Sequence, residues 1–198
     1  MLQPVDIAVA FDAAMTDHQT GAWSQASIRR HLDVPRATLS KSLDRLRHAR
    51  IIRESFINRR ILAALLPLLP NLVPARPLGD RPVRGLVTGF AAPAFGGHFR
   101  SAVPQVWELP GGPDVGLPVE PLHDRLPARL AASGDAERHA LLAYLDAVRG
   151  GRAREVAHGI QGVRLLCGLP AVPGVASQEA VGELMAELVA GLTQAAAC

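Results

Sequence analysis

Prolines divide the chain into parts that fold under different constraints. Twelve of the 16 prolines lie between Pro67 and Pro127, together with eight of the 18 glycines. Because proline lacks a backbone N–H and clashes with the preceding helical turn, this stretch disfavours long helices. It predicts short strands joined by ordered loops, with strand candidates at residues 85–88, 105–109 and 117–120. Helical sequence is therefore expected mainly before and after it.

The residues before the proline-rich stretch have the apolar spacing of short helices. A first helix is predicted from about Gln3 to Met15, followed by a polar loop over residues 16–22. Ser24 has the chemistry of an N-cap for a second helix, because its hydroxyl can accept a hydrogen bond from the first turn. The elements predicted next are a helix over residues 25–32, a helix over 36–49, a short strand over 51–56, and a helix from Arg59, capped by Asn58, to residue 66 or 69.

Helical periodicity returns after the proline-rich stretch. Helices are predicted over residues 135–149 and 152–166, and a last amphipathic helix over about 178–194. The expected fold class is mainly α with minor β: an N-terminal winged helix-turn-helix followed by a Pro-rich α+β C-terminal region. The expected domain ranges are 1–75, 76–170 and 171–198, the last consisting of the C-terminal amphipathic helix.

Positive charge is concentrated in one segment of the chain. Between Ile28 and Arg60 there are ten basic and three acidic residues, a net charge of +7, whereas the whole chain carries +3. The other residues together therefore carry −4. Such an asymmetry is typical of a module that binds a polyanion, the alternative being a helical surface that is merely solvated.

Residues 25–49 predict two short helices packed across a tight turn. Apolar residues at i, i+4 and i+7 bury one stripe of the second helix, and two more face inward from the first. Val34 and Pro35 mark the turn, since the residue before a proline disfavours helical geometry. The inward positions are Ile28, Leu32, Leu39, Leu43 and Leu46. The second helix then directs a polar, mostly basic face outward, as a helix that enters the major groove of DNA requires.

The outward positions divide by their place on the helices. Residues at the N-terminal end of a recognition helix reach base edges, and arginine can form two hydrogen bonds with guanine. Other polar side chains contact phosphates, which fixes the register without distinguishing sequence. The predicted base contacts are Arg36, Ala37, Thr38 and Lys41. The predicted phosphate contacts are Ser24, Gln25, Ser27, Ser40, Arg45, Arg53, Arg59 and Arg60.

The stretch Ala26–Ile52 resembles the helix-turn-helix of MarR-type winged-helix regulators. The likeness runs from Ala26-Ser-Ile-Arg-Arg-His-Leu through Asp-Val-Pro to Ile52, where such proteins end the recognition helix and begin the first wing strand. It implies a compact three-helix core, usually dimeric, that binds pseudo-palindromic DNA. The rest of the chain resembles small uncharacterised bacterial winged-helix proteins, through Asn58-Arg-Arg and the segment Gly151–Glu155, and this likeness implies no enzymatic activity.

The sequence departs from the MarR-type pattern at two places. Pro35 stands where these families often have a serine or threonine cap. The segment Arg53–Asn58 is also too short for an ordinary β-hairpin wing. Contact between a wing and DNA is therefore not expected, and Arg53, Arg59 and Arg60 are expected to substitute for it.

Other functional classes find little support in the sequence. The longest apolar run, Ile61–Val73, is shorter than the about 18 residues of a membrane span, and the N-terminus lacks a signal-peptide pattern. Cys167 is expected to be a buried, unreactive thiol, and two cysteines make no disulfide framework, so a cytoplasmic location is expected. The seven histidines lack metal-ligand spacing, and neither a metal nor another cofactor is expected. A smaller basic group is expected to flank a helix junction, the alternatives being nonspecific contact with DNA or pairing with an acidic partner surface: Arg149, Arg152, Arg154 and Arg164.

Three functional hypotheses are open at this point. The first is a non-enzymatic, sequence-specific regulator of transcription that binds double-stranded DNA as a homodimer. The C-terminal amphipathic helix is a candidate dimer element, and the alternative is that it packs on its own chain. The second is an adaptor or antitoxin-like protein whose C-terminal region binds another protein, with DNA binding secondary. The third is an enzyme with an unrecognised site in residues 76–170.

Overall fold

The computed structural model describes residues 2–97, 99 and 103–171. In this part of the chain the protein is mainly helical with a small strand content, which confirms the predicted fold class at that level. The predicted amphipathic helix over residues 178–194 lies outside the described residues. None of the described helices is both long and apolar enough to cross a membrane.

Helix α1 spans Pro4–Thr20 and lies at the centre of the protein. Every residue from Val5 to Thr16 is buried, because other helices pack against α1 on several sides. The predicted loop over residues 16–22 is wrong. Polar residues alone do not end a helix, and α1 continues until Gly21 adopts the left-handed conformation at φ 78°.

Helices α2 (Gln25–Leu32) and α3 (Arg36–His48) are joined by three residues. The predicted N-cap is confirmed, since the Ser24 hydroxyl accepts a hydrogen bond from the Ser27 N–H at 3.0 Å. Pro35 precedes α3 with the fixed φ that suits a helix start. All five predicted inward-facing residues of the two helices are buried, as is Val34 in the connection.

A minimal β-hairpin follows α3. Its strands β1 (Ile52–Arg53) and β2 (Phe56–Ile57) pair antiparallel. The predicted single strand over residues 51–56 is wrong, because Glu54 adopts φ 50° and the chain reverses there. Helix α4 (Arg59–Leu65) begins after the predicted cap, Asn58, whose side chain accepts a hydrogen bond from the Ile61 backbone N–H at 3.2 Å. A 3-10 turn then leads into α5 (Leu69–Leu72).

The proline-rich stretch contains a closed three-stranded barrel. Strand β3 (Val83–Thr88) pairs antiparallel with both β4 (Gln105–Glu108) and β5 (Asp114–Pro118), and β4 and β5 pair parallel with each other. The first two predicted strands are confirmed within two residues at each end, whereas the third begins three residues earlier than predicted. Short strands and loops, as the prolines require, therefore form a closed unit rather than an open sheet.

Close backbone approach in the barrel requires glycine at two positions. A Cβ atom on Gly85 would lie 2.2 Å from the Trp107 carbonyl oxygen, and one on Gly116 would lie 2.3 Å from the Pro104 carbonyl oxygen. Both neighbours are backbone atoms, which cannot move aside without disturbing the strand pairing. Some glycines of this stretch therefore serve strand packing and not only turns.

Three further helices complete the described fold. Helix α6 (Leu126–Ser133) is absent from the sequence prediction, although Pro127 is compatible with it because the first turn of a helix needs no backbone donor. Helices α7 (Ala136–Gly150) and α8 (Ala153–Cys167) confirm the helices predicted over residues 135–149 and 152–166. Gly162 allows these two helices to pack closely, since a Cβ there would lie 2.5 Å from the Tyr144 ring.

One hydrophobic cluster extends through both halves of the described chain. It includes α1, the inward faces of α2 and α3, Trp107 of β4 and apolar residues of α7 and α8. Residues on both sides of the predicted domain boundary at position 75 therefore share a core. Helices α2 and α3 are supported by α1, which in turn packs against α7 and α8.

Candidate nucleic-acid interface

Basic side chains are exposed on α2, α3, the hairpin and the start of α4. Seven exposed basic residues of this segment form no ion pair with a described residue. These residues, termed here the cationic surface, are Arg29, Arg30, Arg36, Lys41, Arg50, Arg53 and Arg60. Because none of the carboxylates in the described part of the chain forms an ion pair with them, they give this surface a positive potential that attracts polyanions.

Helix α3 has one buried and one exposed face. The apolar stripe and Ser42 are buried, while the exposed positions are Arg36, Ala37, Ser40, Lys41, Asp44, Arg47 and His48. Three of the four predicted base-contact residues are thus exposed on the first two turns of α3, and Thr38 is half-buried. Residues three and four apart are neighbours on a helix, so Ala37, Ser40 and Lys41 lie side by side.

The two serines at the start of α2 use their hydroxyl groups within the protein. Ser24 and Ser27 cap each other: each side chain accepts a hydrogen bond from the other residue's backbone N–H at 3.0 Å. The Ser27 hydroxyl also donates to the Ser24 carbonyl at 2.7 Å. Gln25 and Ser40, the other uncharged phosphate-contact candidates, are exposed. These hydrogen bonds order the first turn of α2, where the first backbone N–H groups of a helix have no partner within the helix.

Arg45 is bonded to the interior and not left free for a phosphate. Its Nε and Nη2 atoms each donate a hydrogen bond of 2.7 Å to the carboxylate of Asp6, which is fully buried on α1. The hydrogen bond with Asp6 raises the pKa of Arg45 above its ordinary value. Two parallel bonds between a guanidinium and a carboxylate fix both distance and orientation. Arg45 therefore holds α3 against α1.

Arg59 is likewise engaged within the fold. Its Nη2 atom donates to the Asp17 carboxylate at 2.6 Å, and its Nη1 atom donates to the Cys167 carbonyl. These bonds join the start of α4 to the ends of α1 and α8. Of the three arginines expected to substitute for a wing, Arg53 and Arg60 are exposed and unpaired among the described residues, whereas Arg59 is not.

Helix α1 carries three aspartates that each bind an arginine from another element. Asp6 binds Arg45 of α3 and Asp17 binds Arg59 of α4, as described above. Asp12 binds Arg138 of α7, with Nε donating to Oδ1 at 2.8 Å. Asp12 also lies 3.1 Å from Nδ1 of His31 on α2. The sequence interpretation considered only the apolar face of this helix and missed the set, although Asp6 and Asp12 stand among apolar residues of the predicted helix and are a signal of buried ion pairs.

The smaller basic group does not form one exposed patch. Arg149 is buried and donates to the Asp146 carboxylate at 2.5 Å. Asp146 also accepts hydrogen bonds from the Trp107 indole at 2.6 Å and the Thr88 hydroxyl at 2.9 Å, so the pair joins α7 to the barrel. Arg149 is therefore a core residue, because its charge is compensated inside the protein.

The structure also describes the predicted unreactive thiol and the side chains that could bind a metal ion. Cys167 is buried as predicted, and burial raises the pKa of its thiol well above the ordinary value, which keeps it in the unreactive protonated form. Among the described residues, no group of three or more His, Cys, Asp or Glu side chains is arranged to hold a metal ion.

Comparison of the chain with protein-family models, with curated proteins and with solved structures finds no match. The function of the protein is therefore inferred from the geometry and charge of the cationic surface and the elements that hold it.

Proposed function

We propose that this protein binds double-stranded DNA in a sequence-specific manner and regulates transcription. In this proposal α2 and α3 form a helix-turn-helix, α3 enters the major groove, and the hairpin β1–β2 is a shortened wing beside it. The observation that carries the proposal is the contrast between the two faces of α3. One face is an apolar stripe buried against the protein, and the other bears Arg36 and Lys41, which are exposed and form no ion pair with any residue that the structure describes.

The proposed contacts follow from which side chains are free. Arg36, Ala37 and Lys41 on the first two turns of α3 contact base edges, with Thr38 placed at the margin of the contact. Phosphates are bound by the charged residues Arg53 and Arg60 and by the exposed Gln25 and Ser40, while Ser24 and Ser27 order the backbone beside them. Arg45 and Arg59 are positioning residues, because the fold already uses their guanidinium groups.

The cationic surface sets an upper limit on the salt dependence of binding. Each neutralised phosphate contributes a slope of about −0.9 to the plot of log K against log salt concentration. If all of the seven unpaired cations contact phosphate, the slope per protomer reaches about −6. We expect a smaller value, because Arg36 and Lys41 contact bases in this proposal.

A homodimer is proposed as the active form. One helix-turn-helix contacts only a few base pairs, so useful specificity needs two half-sites about 34 Å apart, on one side of the DNA. The bound sequence is then expected to be a pseudo-palindrome. The candidate dimer element over residues 178–194 lies outside the described residues. The homodimer is proposed because one helix-turn-helix contacts too few base pairs for useful specificity.

Selection of bound duplexes from a random DNA pool tests the proposal. The wild-type protein is expected to enrich a defined motif, and Arg36→Ala and Lys41→Ala are each expected to relax that motif at one position. Losing one good base contact is expected to lower the free energy of discrimination between the right and the wrong base by about 1–3 kcal/mol. Arg81→Ala, an exposed arginine in the loop before β3, is the matched control and is expected to select the wild-type motif. Binding without any preferred sequence, unchanged by both α3 substitutions, contradicts a specific regulator.

A further inference from the structure

Helix α6 comes from the second half of the chain, yet it lies beside the proposed helix-turn-helix. It packs against α2, and an Nη atom of Arg125, at the start of α6, lies 3.6 Å from the carboxylate of Asp33. Asp33 follows the last residue of α2 and belongs to the three-residue turn that leads into α3. Arg125 is therefore a basic residue from outside the predicted DNA-binding domain, residues 1–75, that lies next to this turn.

The exposed side of α2 carries two arginines that the proposed contacts leave unassigned. Arg29 and Arg30 are exposed and form no ion pair with a described residue. Arg29 lies one turn after Gln25, which is a proposed phosphate contact, and residues four apart are neighbours on a helix. Asp33 follows Arg29 by the same spacing. This row therefore runs along α2 from the proposed phosphate contact to the turn beside Arg125.

Helix α6 carries two arginines whose charges are little compensated. Arg125 and Arg129 are four positions apart, so their side chains are neighbours. The side chains of Arg125 and Asp33 are 58% and 56% exposed, and an ion pair that open to water is weak. Arg129 is half-buried and forms no ion pair with a described residue. Its Nε atom is buried and has no hydrogen-bond partner among the described residues.

The charges of α2, α6 and the residues that flank them do not balance. His123, just before α6, adds no charge at neutral pH, because burial lowers the pKa of its imidazole. The carboxylates at the ends of the two helices are Asp33 and Asp124. Four arginines face them, which leaves a net charge of +2: Arg29, Arg30, Arg125 and Arg129. The side of the helix-turn-helix that borders α6 is therefore positive.

We propose that α6 is part of the DNA interface and that Arg125 and Arg129 bind backbone phosphates beside those bound by Arg29. The inference rests on the proposed function, because it names further contacts to the same DNA. Guanidinium groups bind phosphate with charge-assisted hydrogen bonds, which hold the protein on the duplex without distinguishing sequence. The second half of the chain then contributes directly to DNA affinity, and α6 adds to the salt dependence that the cationic surface alone would give.

Arg125→Gln tests the contact, and Arg81→Gln is the matched control. We expect Arg125→Gln to bind DNA about threefold to tenfold more weakly at about 0.1 M salt, and to reduce the slope of log K against log salt concentration by about 0.9. The loss is expected to be the same for the selected duplex and for a duplex of unrelated sequence, because the phosphates are the same in both. Arg81→Gln is expected to match the wild-type protein. Fluorescence anisotropy measures the affinities, and thermal unfolding checks that each variant is folded.

A second variant separates phosphate contact from neutralisation of Asp33. If Arg125 only neutralises that carboxylate, Arg125→Gln has no effect in a protein that already carries Asp33→Asn. Asparagine readily adopts the left-handed conformation that Asp33 has at φ 51°, so the turn is expected to survive this substitution. We expect Arg125→Gln to weaken binding by the same factor in the Asp33→Asn protein as in the wild-type protein. Loss of the effect in that protein overturns a contact between Arg125 and phosphate.

The outcomes distinguish this inference from the proposed function. If the wild-type protein prefers the selected duplex and Arg125→Gln changes neither affinity nor slope, only the contact by α6 is overturned. A loss confined to the selected duplex also contradicts a phosphate contact. If the wild-type protein binds every duplex equally, the sequence-specific function fails, whereas the slope of Arg125→Gln still decides the role of α6. If it binds no duplex, both proposals fail.

Discussion

The Arg45 guanidinium donates two hydrogen bonds of 2.7 Å to the carboxylate of Asp6, 39 positions earlier in the chain. This pair connects the proposed recognition helix to the central helix of the core. Asp6 is fully buried, and Arg45 is 27% exposed. Without Arg45, the buried carboxylate keeps the hydrogen bond from the Gln3 N–H at 2.8 Å but has lost its cation, so the pair ties the position of α3 to the stability of the whole fold.

Replacing Arg45 by methionine is therefore expected to destabilise the protein. We expect a loss of about 2–3 kcal/mol in the free energy of unfolding, below the about 3–5 kcal/mol of a fully buried pair because Arg45 is partly exposed. Urea unfolding at pH 7 measures it. Arg47→Met is the matched control on the same helix: its pair with Asp44 is exposed, and the expected change is within about 0.5 kcal/mol. Equal losses in the two variants contradict a structural role for the Arg45–Asp6 pair.

Salt dependence separates positioning residues from phosphate contacts. Arg53→Gln is expected to reduce the slope of log K against log salt concentration by about 0.9, because one phosphate contact is lost. Arg45→Met is expected to lower DNA affinity without changing that slope, since its guanidinium binds Asp6. Fluorescence anisotropy with the selected duplex over about 50–200 mM salt gives both values. The assignment of roles fails if Arg45→Met flattens the slope as much as Arg53→Gln does.

The barrel is expected to reject a methyl group at Gly85. Its Cβ would lie 2.2 Å from the Trp107 carbonyl oxygen, so Gly85→Ala must displace β3 or β4. We expect a destabilisation of at least about 3 kcal/mol, at the upper end of the range for overpacking. Gly79→Ala is the control, because the nearest atom to its Cβ is a Pro118 side-chain carbon at 3.9 Å. Thermal unfolding of Gly79→Ala is expected to match that of wild type or to occur at slightly higher temperature. A similar stability for both variants contradicts the close strand approach.

Asp135, the N-cap of α7, is expected to stabilise the protein in a pH-dependent way. Burial by itself raises the pKa of Asp135. The hydrogen bonds from the backbone and guanidinium of Arg138, together with the Arg138 charge, outweigh that effect, so the pKa lies below its ordinary value. The ionised carboxylate therefore stabilises the folded protein above the unfolded-state pKa of about 4, and this contribution is lost as the pH falls through the lower folded-state pKa.

Asp135→Asn tests this dependence, because asparagine still caps a helix but carries no charge. The wild-type protein is expected to be about 0.5–1 kcal/mol more stable than the variant at pH 7, and the difference is expected to disappear as the pH falls through the lowered folded-state pKa of Asp135. Urea unfolding over this pH range measures it. Asp80→Asn, in an exposed loop, is the control and is expected to show little difference at any pH. A difference for Asp135→Asn that does not change with pH contradicts the electrostatic origin.

The helices could be predicted from the sequence because the features that form them, apolar spacing and capping side chains, lie within a few residues of one another. Leu39, Leu43 and Leu46 repeat at helical spacing, and Ser24 and Asn58 carry side chains that cap the following helix, so both the elements and their beginnings could be predicted. The end of α1 could not be placed from polarity, since Thr16 and its polar successors remain helical. It depends on the one residue, Gly21, that easily adopts a left-handed conformation.

The partners of the site residues could not be predicted, because they depend on contacts distant in sequence. The sequence alone does not distinguish the polar positions Arg36 and Arg45 on α3, yet Arg45 binds a buried carboxylate of α1 and Arg36 does not. Arg138 and Asp12 are 126 positions apart. The closure of the barrel could not be predicted for the same reason. Strand propensity indicated its strands, but closure depends on pairing between β4 and β5, which no local pattern specifies.

The closure of the barrel also limits how copies of this protein can associate. An open sheet exposes rows of unpaired backbone groups that recruit a strand from another chain. Each barrel strand instead has a partner on both sides, so the segment of the chain richest in strand offers little template for such pairing. A strand from another chain is therefore not expected to pair with the barrel, and among the described strands only β1 and β2 of the hairpin have a free edge. In the barrel, the backbone groups that could start such pairing are already used within the chain.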